Sequence, residues 1–215
     1  MDPQGNTTSG LGEEKGGDHT VYEILLGEEK ISDCICHTQV ANLDLVPSNV
    51  NLSGAEIELI GIPDKEYLLQ KQVQTISDRY DFILIDCPPA LRMLTVNALT
   101  TATSVLVPIQ CEYYALEGLS QLMYTIDLVR ERLNPVLSVE GVVFTMYDAR
   151  TNLSLQVVEN VKDHLKQRIY KTIIPRNVRL AEAPSYGMPI TLYDSRSAGA
   201  ESYRKLAKEV MEFKG

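Results

Sequence analysis

An aspartate at the end of an apolar run carries the clearest chemical signal in the sequence. The segment from Tyr80 to Pro89 reads YDFILIDCPP, so an apolar stretch precedes Asp86 and two prolines follow it. A short, uninterrupted apolar run from Phe82 to Ile85 is typical of a buried strand of a parallel sheet. Proline cannot donate to a ladder and forces the preceding residue into extended geometry. We therefore expect the strand to end with Asp86 at its carboxyl tip, where open α/β sheets bind ligands.

An acid in this position can hold the water shell of a nucleotide-bound Mg²⁺ ion, which is the role of a Walker B aspartate. A capping acid on a loop explains the lone motif equally well. A second acid, Asp2, lies in the sequence MDPQGN, whose residue types indicate a turn with no strand before it. Asp2 and Asp86 could share one centre.

Four longer motifs extend this signal along the chain: IDCPPALRMLTVNAL from Ile85, VPIQCEYYALEGLSQL from Val107, TMYDART from Thr145 and IIPRNVRLAEAPSYGMPI from Ile173. In their order and nearly letter for letter they resemble the ParA/Soj family of chromosome- and plasmid-partitioning ATPases. The resemblance covers essentially the whole chain. It implies an α/β fold of the P-loop NTPase, ParA/MinD-like type, with a doubly wound, mostly parallel sheet.

The family carries a first strand, a phosphate-binding loop and a first helix upstream of the DPQGN segment, and we expect this chain to lack them. The phosphate loop needs G-x-x-x-x-G-K-[ST], because its backbone N–H groups and lysine neutralise the phosphates. No Gly-Lys-Ser or Gly-Lys-Thr occurs in the sequence, and Lys15-Gly16-Gly17 is predicted to be a surface turn. The absent strand would be central in the sheet. We therefore expect exposed apolar edges, and either poor solubility or a molten fold.

By resemblance, the cofactors are ATP and Mg²⁺, with Asp86 holding Mg²⁺ through water and Asp2 orienting the attacking water. The resemblance places four residues around the adenine: Met146, Pro175, Arg176 and Asn177. Pro175 is explained equally well as a strand terminator. Without the phosphate loop, both carboxylates would face a polyanion, so we expect this chain as given neither to bind ATP tightly nor to hydrolyse it.

The resemblance also implies partners: nonspecific DNA, a ParB-type centromere-binding protein and a second copy in an ATP-bound homodimer. The matching DNA-binding positions are Arg150 and Arg179. A larger basic patch could include Lys162, Lys166, Arg168, Lys171 and Arg196. Such contacts would reach phosphates without reading bases, so binding should weaken steeply with salt. By resemblance, the segment EYYALEG, which opens with Glu112, lies near the dimer interface. Glu112 also suits the first turn of a helix because it favours the helix dipole.

The net charge of −9 argues against a protein that coats nucleic acid with its whole surface. Residues 1–150 hold 9 Lys and Arg against 22 Asp and Glu, whereas residues 151–215 hold 11 against 7. The carboxyl third is therefore locally basic and could meet phosphate. The four cysteines show no zinc spacing, and no signal peptide or long apolar segment is present. We expect reduced thiols in a cytoplasmic protein, and the resemblance implies that it associates with the nucleoid.

Periodicity and turn residues predict alternating elements in one domain over residues 1–215. We expect helices over 21–26, 53–60, 64–78, 91–102, 112–133, 152–167 and 199–213, and strands over 43–46, 82–85, 104–109, 139–145 and 169–174. The last helix carries an apolar stripe: Tyr203, Leu206, Val210 and Phe213. We expect this stripe to pack on its own domain; a helix lying on a membrane, as in the related MinD proteins, is the alternative.

The sequence thus predicts a ParA/Soj-type partitioning ATPase that is truncated at its amino end. The first alternative is a non-enzymatic regulator that retains the ParB-type and DNA surfaces and inhibits full-length dimers. A MinD-like protein that positions cell division is the second alternative, although Pro88-Pro89 and EYYALEG resemble ParA/Soj instead.

Overall fold

The computed structural model describes residues 1–113, 115–165 and 167–212. Three residues of the predicted elements and patches lie outside the described residues: Tyr114, Lys166 and Phe213. The chain forms two compact units. The first unit contains Met1–Thr103 and Leu128–Leu137, and the second contains Ser104–Asp127 and the residues from Ser138 onward. The single domain over 1–215 stays a prediction.

Short helices and one small hairpin make up most of the first unit. In chain order these are α1 Asn6–Gly10, α2 Val21–Leu26, β1 Cys36–His37, β2 Asp44–Leu45, α3 Leu52–Glu58, α4 Leu68–Val73 and α5 Met93–Thr101. Helix α2 confirms its predicted bounds. Thr20 and Glu23 form a capping box at its start, and Gly27 ends it in the left-handed region with φ 77°.

The core of the first unit is built from apolar residues of these helices. One cluster contains Val21, Leu25, Leu52, Ala55, Leu59, Leu69 and Leu94, together with Met1. A second cluster contains Ile24, Ile31, Cys34 and Ile76. Strand β2 confirms part of the predicted strand over 43–46. It pairs antiparallel with β1, which the sequence did not predict.

The predicted helix over 64–78 is wrong as one element, because it is divided into the 3₁₀ turn Lys65–Tyr67, helix α4 and the 3₁₀ turn Ser77–Arg79. Asp64, the expected cap, lies in the left-handed region and makes no capping hydrogen bond. A side chain of α5 takes over this role. Asn97 accepts from the N–H of Leu69 at 3.2 Å and donates to the carbonyl of Lys65 at 2.9 Å. A tertiary contact therefore overrides the local helical pattern.

The segment from Phe82 to Ile85, here called the 82–85 segment, is not the buried strand that its sequence predicts. Among the described residues it belongs to no sheet, and the exposed fractions of Phe82 and Leu84 are 52% and 89%. The physical reason is that no strand among the described residues pairs with its backbone, so Phe82, Ile83 and Leu84 stay exposed, whereas Ile85 packs partly against the first cluster. The exposed apolar edge itself was expected, whereas poor solubility stays a prediction.

The second unit contains the parallel sheet. Its elements are β3 Ser104–Gln110, the start of α6 Ala115–Arg132, β4 Ser138–Thr145, α7 Asn152–His164, α8 Val178–Glu182, α9 Ile190–Tyr193 and α10 Ala198–Glu212. β3 and β4 pair in parallel, from Ser104 opposite Ser138 to Gln110 opposite Thr145. The predicted strand over 169–174 is present only as a looser third row. A parallel bridge joins Ile169 to Val142 of β4. A second parallel bridge, just beyond both segments, joins Pro175 to Tyr147.

Helices cover both faces of this sheet, as the α/β prediction requires. Val142 and Phe144 of β4 join a buried cluster with Leu119 of α6 and Val161 of α7. Val143 points to the other face and packs with Tyr170, Ile174 and Leu206 of α10. This alternation is that of a strand buried on both sides, and it confirms an α/β fold with a parallel sheet.

Pro108 lies within its strand and does not end it. β3 continues to Gln110, and Pro108 lies opposite Val143 in the ladder. Among the described residues β3 pairs with β4 alone, so its other edge has no partner that would need the missing N–H. An edge strand tolerates proline for this reason.

Candidate functional site

The carboxylate of Asp86 lies at the end of the 82–85 segment and accepts a hydrogen bond from Thr7. The Thr7 hydroxyl oxygen is 2.6 Å from Asp86 Oδ2. Thr7 lies in the first turn of α1, whereas Asp86 is 79 residues away in sequence. Sequence analysis missed Thr7, and the only available signal was the hydroxyl-rich run Thr7-Thr8-Ser9 directly after the DPQGN turn.

Asp2 is held in a tight turn at the start of the chain. Its carboxylate accepts from the N–H of Gln4 at 3.0 Å and from the Asn6 amide at 3.3 Å. Gly5 adopts φ 59°, and a Cβ at this position would lie 2.5 Å from the carbonyl oxygen of Ser48. The Ser48 hydroxyl also donates to the Asp2 carbonyl at 2.8 Å. A left-handed glycine and a close backbone neighbour therefore fix the orientation of Asp2.

Asp2 and Asp86 both line a cavity of about 180 Å³ in the first unit. The structure thus brings together the two acids that the sequence placed at one centre. Their charged neighbour in the lining is Asp44, and no Lys, Arg or His side chain lines the described part of the cavity. Burial lowers the pKa of the Met1 α-amino group at the same place, while Cys87, Asp86 and Asp2 act in the opposite direction.

These residues fit a hydrated cation better than a triphosphate. Asp86 is exposed and offers a carboxylate that Thr7 orients, which suits a metal bound through water. No group of three or more His, Cys, Asp or Glu residues within the described chain could hold a metal directly. A triphosphate would meet carboxylates without a basic side chain to neutralise it. Lys15-Gly16-Gly17 forms an exposed turn, as predicted, and Lys15 donates to the Gln4 carbonyl at 2.6 Å.

The predicted adenine contacts lie in the second unit, at the carboxyl end of β4 and the third row. Met146 follows β4 in the left-handed region with φ 55°. Pro175 pairs with Tyr147, whose carbonyl accepts from the Arg176 N–H at 2.8 Å. Asn177 caps α8 by accepting from the Arg179 N–H at 2.9 Å. The two parallel strand ends therefore bring these residues onto adjacent loops, and Asn177 also has a structural role.

The expected interaction of Glu112 with the helix dipole requires Glu112 to lie in the first turn of α6. Glu112 instead precedes the described residues of this helix. The helix begins at Ala115, and the carbonyl of Glu112 accepts from the Ala115 N–H at 3.1 Å. The Glu112 carboxylate forms an ion pair with Arg176 at 3.1 Å. The acid in the first turn of α6 is Glu117.

Both arginines that the resemblance assigns to DNA are paired with carboxylates. Arg150 Nε and Nη2 donate to the two oxygens of Asp148 at 2.8 Å and 2.6 Å. The hydrogen bonds from Arg150 hold the pKa of the Asp148 carboxyl far below its usual range. Arg179 pairs with Glu182 at 2.9 Å and with Asp194 at 3.6 Å. A DNA phosphate would have to compete with these carboxylates.

The remaining basic positions differ in how accessible they are. Lys162, Lys171 and Arg196 are exposed. Arg168 is half-buried, and its guanidinium lies 4.6 Å from the centre of the Tyr170 ring. Arg168 therefore contributes to packing at this position.

All four cysteines are free thiols, of which Cys34 and Cys111 are buried and Cys87 is exposed. Desolvation raises the pKa of Cys34 and of Cys111 to about 11, which makes both thiols poor nucleophiles. No helix in the described part of the chain has the length and hydropathy that crossing a membrane requires.

The chain is similar to known proteins both in sequence and in structure. A family model described as an AAA domain matches residues 1–139. The sporulation initiation inhibitor protein Soj of Bacillus subtilis is 56% identical over 98% of this chain and 83% of its own length. The chromosome-partitioning ATPase Soj of Treponema pallidum is 49% identical, with the same two coverages.

A solved structure supports the fold. Cobyrinic acid a,c-diamide synthase from Mycobacterium smegmatis, crystallised with ADP and magnesium, matches with a TM-score of 0.85 and 34% identity. The match covers 98% of this chain and 79% of that protein. With its parallel sheet covered on both faces and its close relatives over nearly its whole length, the chain belongs to the ParA/Soj family of partitioning ATPases.

Proposed function

We propose that this protein acts in chromosome or plasmid partitioning as an ATPase of the ParA/Soj type. The observation that carries the proposal is the 56% identity to a Soj protein over 98% of the chain. The cavity that Asp2 and Asp86 both line supports the proposal. Phosphoryl transfer needs one group that holds the metal ion and a second that positions the attacking water, and these two carboxylates could serve as that pair.

Within this proposal each acid has one role. Asp86 would hold Mg²⁺ through water, and the Thr7 hydroxyl orients its carboxylate. Asp2, fixed by Gln4 and Asn6, orients a water molecule. A bound Mg²⁺ ion would supply charge neutralisation for the phosphates. The adenine contacts would be Met146, Pro175, Arg176 and Asn177.

The described lining of the Asp2 and Asp86 cavity has no basic side chain, and the sequence has no Gly-Lys-Ser or Gly-Lys-Thr, so we expect no tight binding of ATP by this chain. Calorimetric titration with Mg-ATP tests this directly, with Bacillus subtilis Soj as the positive control. We expect no heat of binding in the micromolar range. Micromolar affinity would contradict the expectation and would require a phosphate site that the sequence motifs do not predict.

Nonspecific DNA binding by an ATP-bound homodimer, with release stimulated by a ParB-type partner, is the proposed cycle. Arg150 and Arg179 would contact phosphates once they leave their carboxylate partners, which suits nucleoid association in the cytoplasm. The test uses a chimera in which the phosphate-binding segment of Bacillus subtilis Soj precedes Met1. DNA binding is followed by fluorescence anisotropy at several salt concentrations.

The chimera's Arg150→Glu/Arg179→Glu variant should lose most of its DNA affinity. The slope of log affinity against log salt concentration should become shallower by the contribution of about two phosphate contacts. Lys65→Glu/Lys71→Glu makes the same change in net charge in the first unit and should bind almost normally. Equal losses in both variants would show that only the net charge matters, and unchanged binding in the first would remove these arginines from the interface.

A non-enzymatic regulator is the second candidate, and the acidic lining of the Asp2 and Asp86 cavity, whose described residues include no Lys, Arg or His, favours it. Such a protein would bind the ParB-type partner or full-length ParA without turnover. Adding the chain to a working ParA and ParB pair distinguishes the two. A regulator lowers their ATPase rate in proportion to its concentration, whereas an inert chain leaves it unchanged.

A further inference from the structure

Two tyrosines of the second unit form an exposed aromatic stack. The ring centroids of Tyr186 and Tyr193 lie 5.0 Å apart, with an angle of 28° between the ring planes. Tyr186 ends the 3₁₀ turn Ala183–Tyr186, and Gly187 follows it in the left-handed region with φ 62°. Tyr193 covers one face of the Tyr186 ring, yet Tyr186 is 63% exposed. The opposite face of this ring is therefore accessible to a flat partner.

Polar and apolar contacts hold the inner ring of the stack in place. The Tyr193 hydroxyl donates to Glu182 Oε2 at 3.2 Å, and Arg179 Nη1 donates to the same oxygen at 2.9 Å. Tyr193 also packs against a buried cluster that contains Ala183, Ile190 and Ala200. The inner ring is thus a fixed support for Tyr186. A partner that stacks on Tyr186 therefore loses little of its binding free energy to the ordering of side chains.

The two arginines beside the stack differ in their availability. Arg179 is paired with both Glu182 and Asp194, so a phosphate would have to displace a carboxylate to reach it. Arg196 lies in the turn that follows Tyr193, and it is exposed. Its backbone N–H donates to Asp194 at 3.3 Å, which fixes this turn. An exposed cation therefore accompanies the exposed ring.

An accessible ring with a neighbouring cation suits one class of ligand. Proteins that bind single-stranded nucleic acid combine aromatic side chains, on which bases stack, with cations that contact the backbone. In a duplex, neighbouring base pairs cover the faces of each base, so that proteins contact base edges and phosphates instead. The Tyr186 ring offers no donor or acceptor on its face for such an edge. An unpaired base therefore fits the Tyr186 ring, whereas a duplex does not.

We propose that Tyr186, supported by Tyr193, is a stacking platform for single-stranded nucleic acid. The Tyr186 ring stacks on one unpaired base, and Arg196 contacts a phosphate of the same strand. This inference goes beyond the proposed function, in which Arg150 and Arg179 of an ATP-bound homodimer contact the phosphates of DNA. The stacking platform requires neither a bound nucleotide nor a second copy of the chain.

The first experiment compares single and double strands with the 215-residue chain in the absence of ATP. Fluorescence anisotropy follows a labelled thymidine strand of about twelve nucleotides and the duplex that it forms with its complement. We expect the single strand to bind about tenfold more tightly than the duplex or better. A uridine strand of the same length should bind as well, because stacking needs only the face of the base. The tighter of the two single strands identifies DNA or RNA as the preferred class.

Matched variants test whether the ring itself carries the binding. Tyr186→Ala should weaken the affinity for the single strand by about tenfold, because the stacked base loses its support. Tyr186→Phe keeps the ring and should bind as the wild type does. Tyr124 of α6 is 66% exposed, so Tyr124→Ala removes a tyrosine of similar exposure elsewhere in the second unit and should bind normally. Circular dichroism of each variant confirms that its secondary structure is retained.

Arg196 is tested through the salt dependence of the same binding. Arg196→Gln should make the slope of log affinity against log salt concentration shallower by the contribution of about one phosphate contact. Lys71→Gln makes the same change in net charge in the first unit and should leave the slope unchanged. An unchanged slope for Arg196→Gln would remove this arginine from the site.

A fluorescent reporter locates the strand on the platform. The sequence contains no tryptophan, so Tyr186→Trp introduces a single indole at the stack. Its fluorescence should be quenched when the thymidine strand saturates the protein, because a stacked base contacts the indole directly. The fluorescence of Tyr124→Trp should stay unchanged under the same conditions. Equal quenching of both variants would place the strand elsewhere.

Three further results would overturn the proposal. The first is an affinity for the single strand that is absent or no greater than that for the duplex. The second is equal binding by the Tyr186→Ala and wild-type chains. The third is a self-associated chain, seen by size-exclusion chromatography with light scattering, that Tyr186→Ala converts to monomer. A second copy would then cover the platform together with the exposed side chains of Met188 and Leu192. None of these measurements involves ATP, so failure here leaves the proposed function untouched.

Discussion

Two apolar runs of similar composition behave in opposite ways in this molecule. The run Val142-Val143-Phe144 in β4 is almost fully buried, whereas the 82–85 segment is exposed along most of its length. β4 has β3 on one side and the third row on the other, and helices cover its two faces. The 82–85 segment has no strand partner among the described residues.

The difference shows that burial of a strand depends on its neighbours and not on its own residues. Both runs have the composition of a parallel-sheet strand. Only β4 has the ladder partners that satisfy its backbone and hold covering helices in place. The predictions below test how far this contrast extends, beginning with the largest expected effect.

Truncating the centre of β4 should destabilise the protein strongly, and the same change in the 82–85 segment should not. Phe144 is fully buried, so Phe144→Ala should lower the free energy of unfolding by about 3–5 kcal/mol. Leu84 is largely exposed, and Leu84→Ala should change it by less than about 0.5 kcal/mol. Urea unfolding followed by circular dichroism measures both. A loss above about 2 kcal/mol at Leu84 would mean that the segment is covered in solution.

A methyl group added to β4 should also be destabilising. A Cβ at Gly141 would lie 2.7 Å from the Tyr170 ring. This ring is buried, and the Tyr170 hydroxyl donates to the Glu140 carboxylate at 2.6 Å. We expect Gly141→Ala to cost about 1–3 kcal/mol because the ring cannot move away freely. Gly118 lies inside α6 with no atom near its added Cβ. Gly118→Ala should stabilise the protein by about 0.5–1 kcal/mol. Thermal unfolding of the pair therefore gives shifts of opposite sign.

Local signals in the sequence predicted much of the fold. Helix α2 was found because Gly27 lies directly after it, and the structure adds the capping box at its start. β4 was found because its apolar run predicts a buried strand, and the structure buries that run between neighbouring strands and helices. Long-range contacts defeated the prediction elsewhere. The helix expected over 64–78 is divided because the Asn97 side chain makes hydrogen bonds to the backbone of Leu69 and Lys65. The residues of 64–78 do not predict this long-range contact.

The candidate site divides in the same way. Asp2 and Asp86 could be identified because each lies in a recognisable motif, and the structure places both on one cavity. Thr7 could not be identified, since its hydrogen bond to Asp86 joins residues 79 positions apart. Arg150 and Arg179 were assigned to DNA through the resemblance, but the position of Asp194 beside Arg179 depends on the fold of the second unit.

Helix caps allow a finer comparison of the two units. Thr20 is buried and accepts from the Tyr22 N–H at 3.2 Å, and the Glu23 carboxylate binds its N–H in return. Thr20→Ala should therefore lower the free energy of unfolding by about 1 kcal/mol. Thr151, which caps α7, accepts at 3.4 Å and has no such reciprocal carboxylate. Thr151→Ala should have the smaller effect in chemical denaturation, and the reverse order would contradict the importance of the capping box.

The smallest effects should come from two half-buried carboxylates, Asp44 and Asp148, and should appear only in acid. The hydrogen bond to His37, followed by that from Tyr80, lowers the pKa of Asp44 in the first unit. The hydrogen bonds from Arg150 lower the pKa of Asp148 further in the second unit. A carboxyl group with a lowered pKa stabilises the fold above its unfolded value of about 3.9, and this stability disappears as the pH falls through the folded value.

Both variants, Asp44→Asn and Asp148→Asn, should therefore flatten the acid side of the stability curve, and the second should flatten it more. Urea midpoints measured at several pH values between about 7 and 2 test this, with the wild-type chain as reference. Two equal slopes would mean that Arg150 holds Asp148 no more firmly than His37 holds Asp44. The ion pair that competes with DNA phosphate in the proposed function would then be weak enough to open at little cost, and the arginine would be ready to bind.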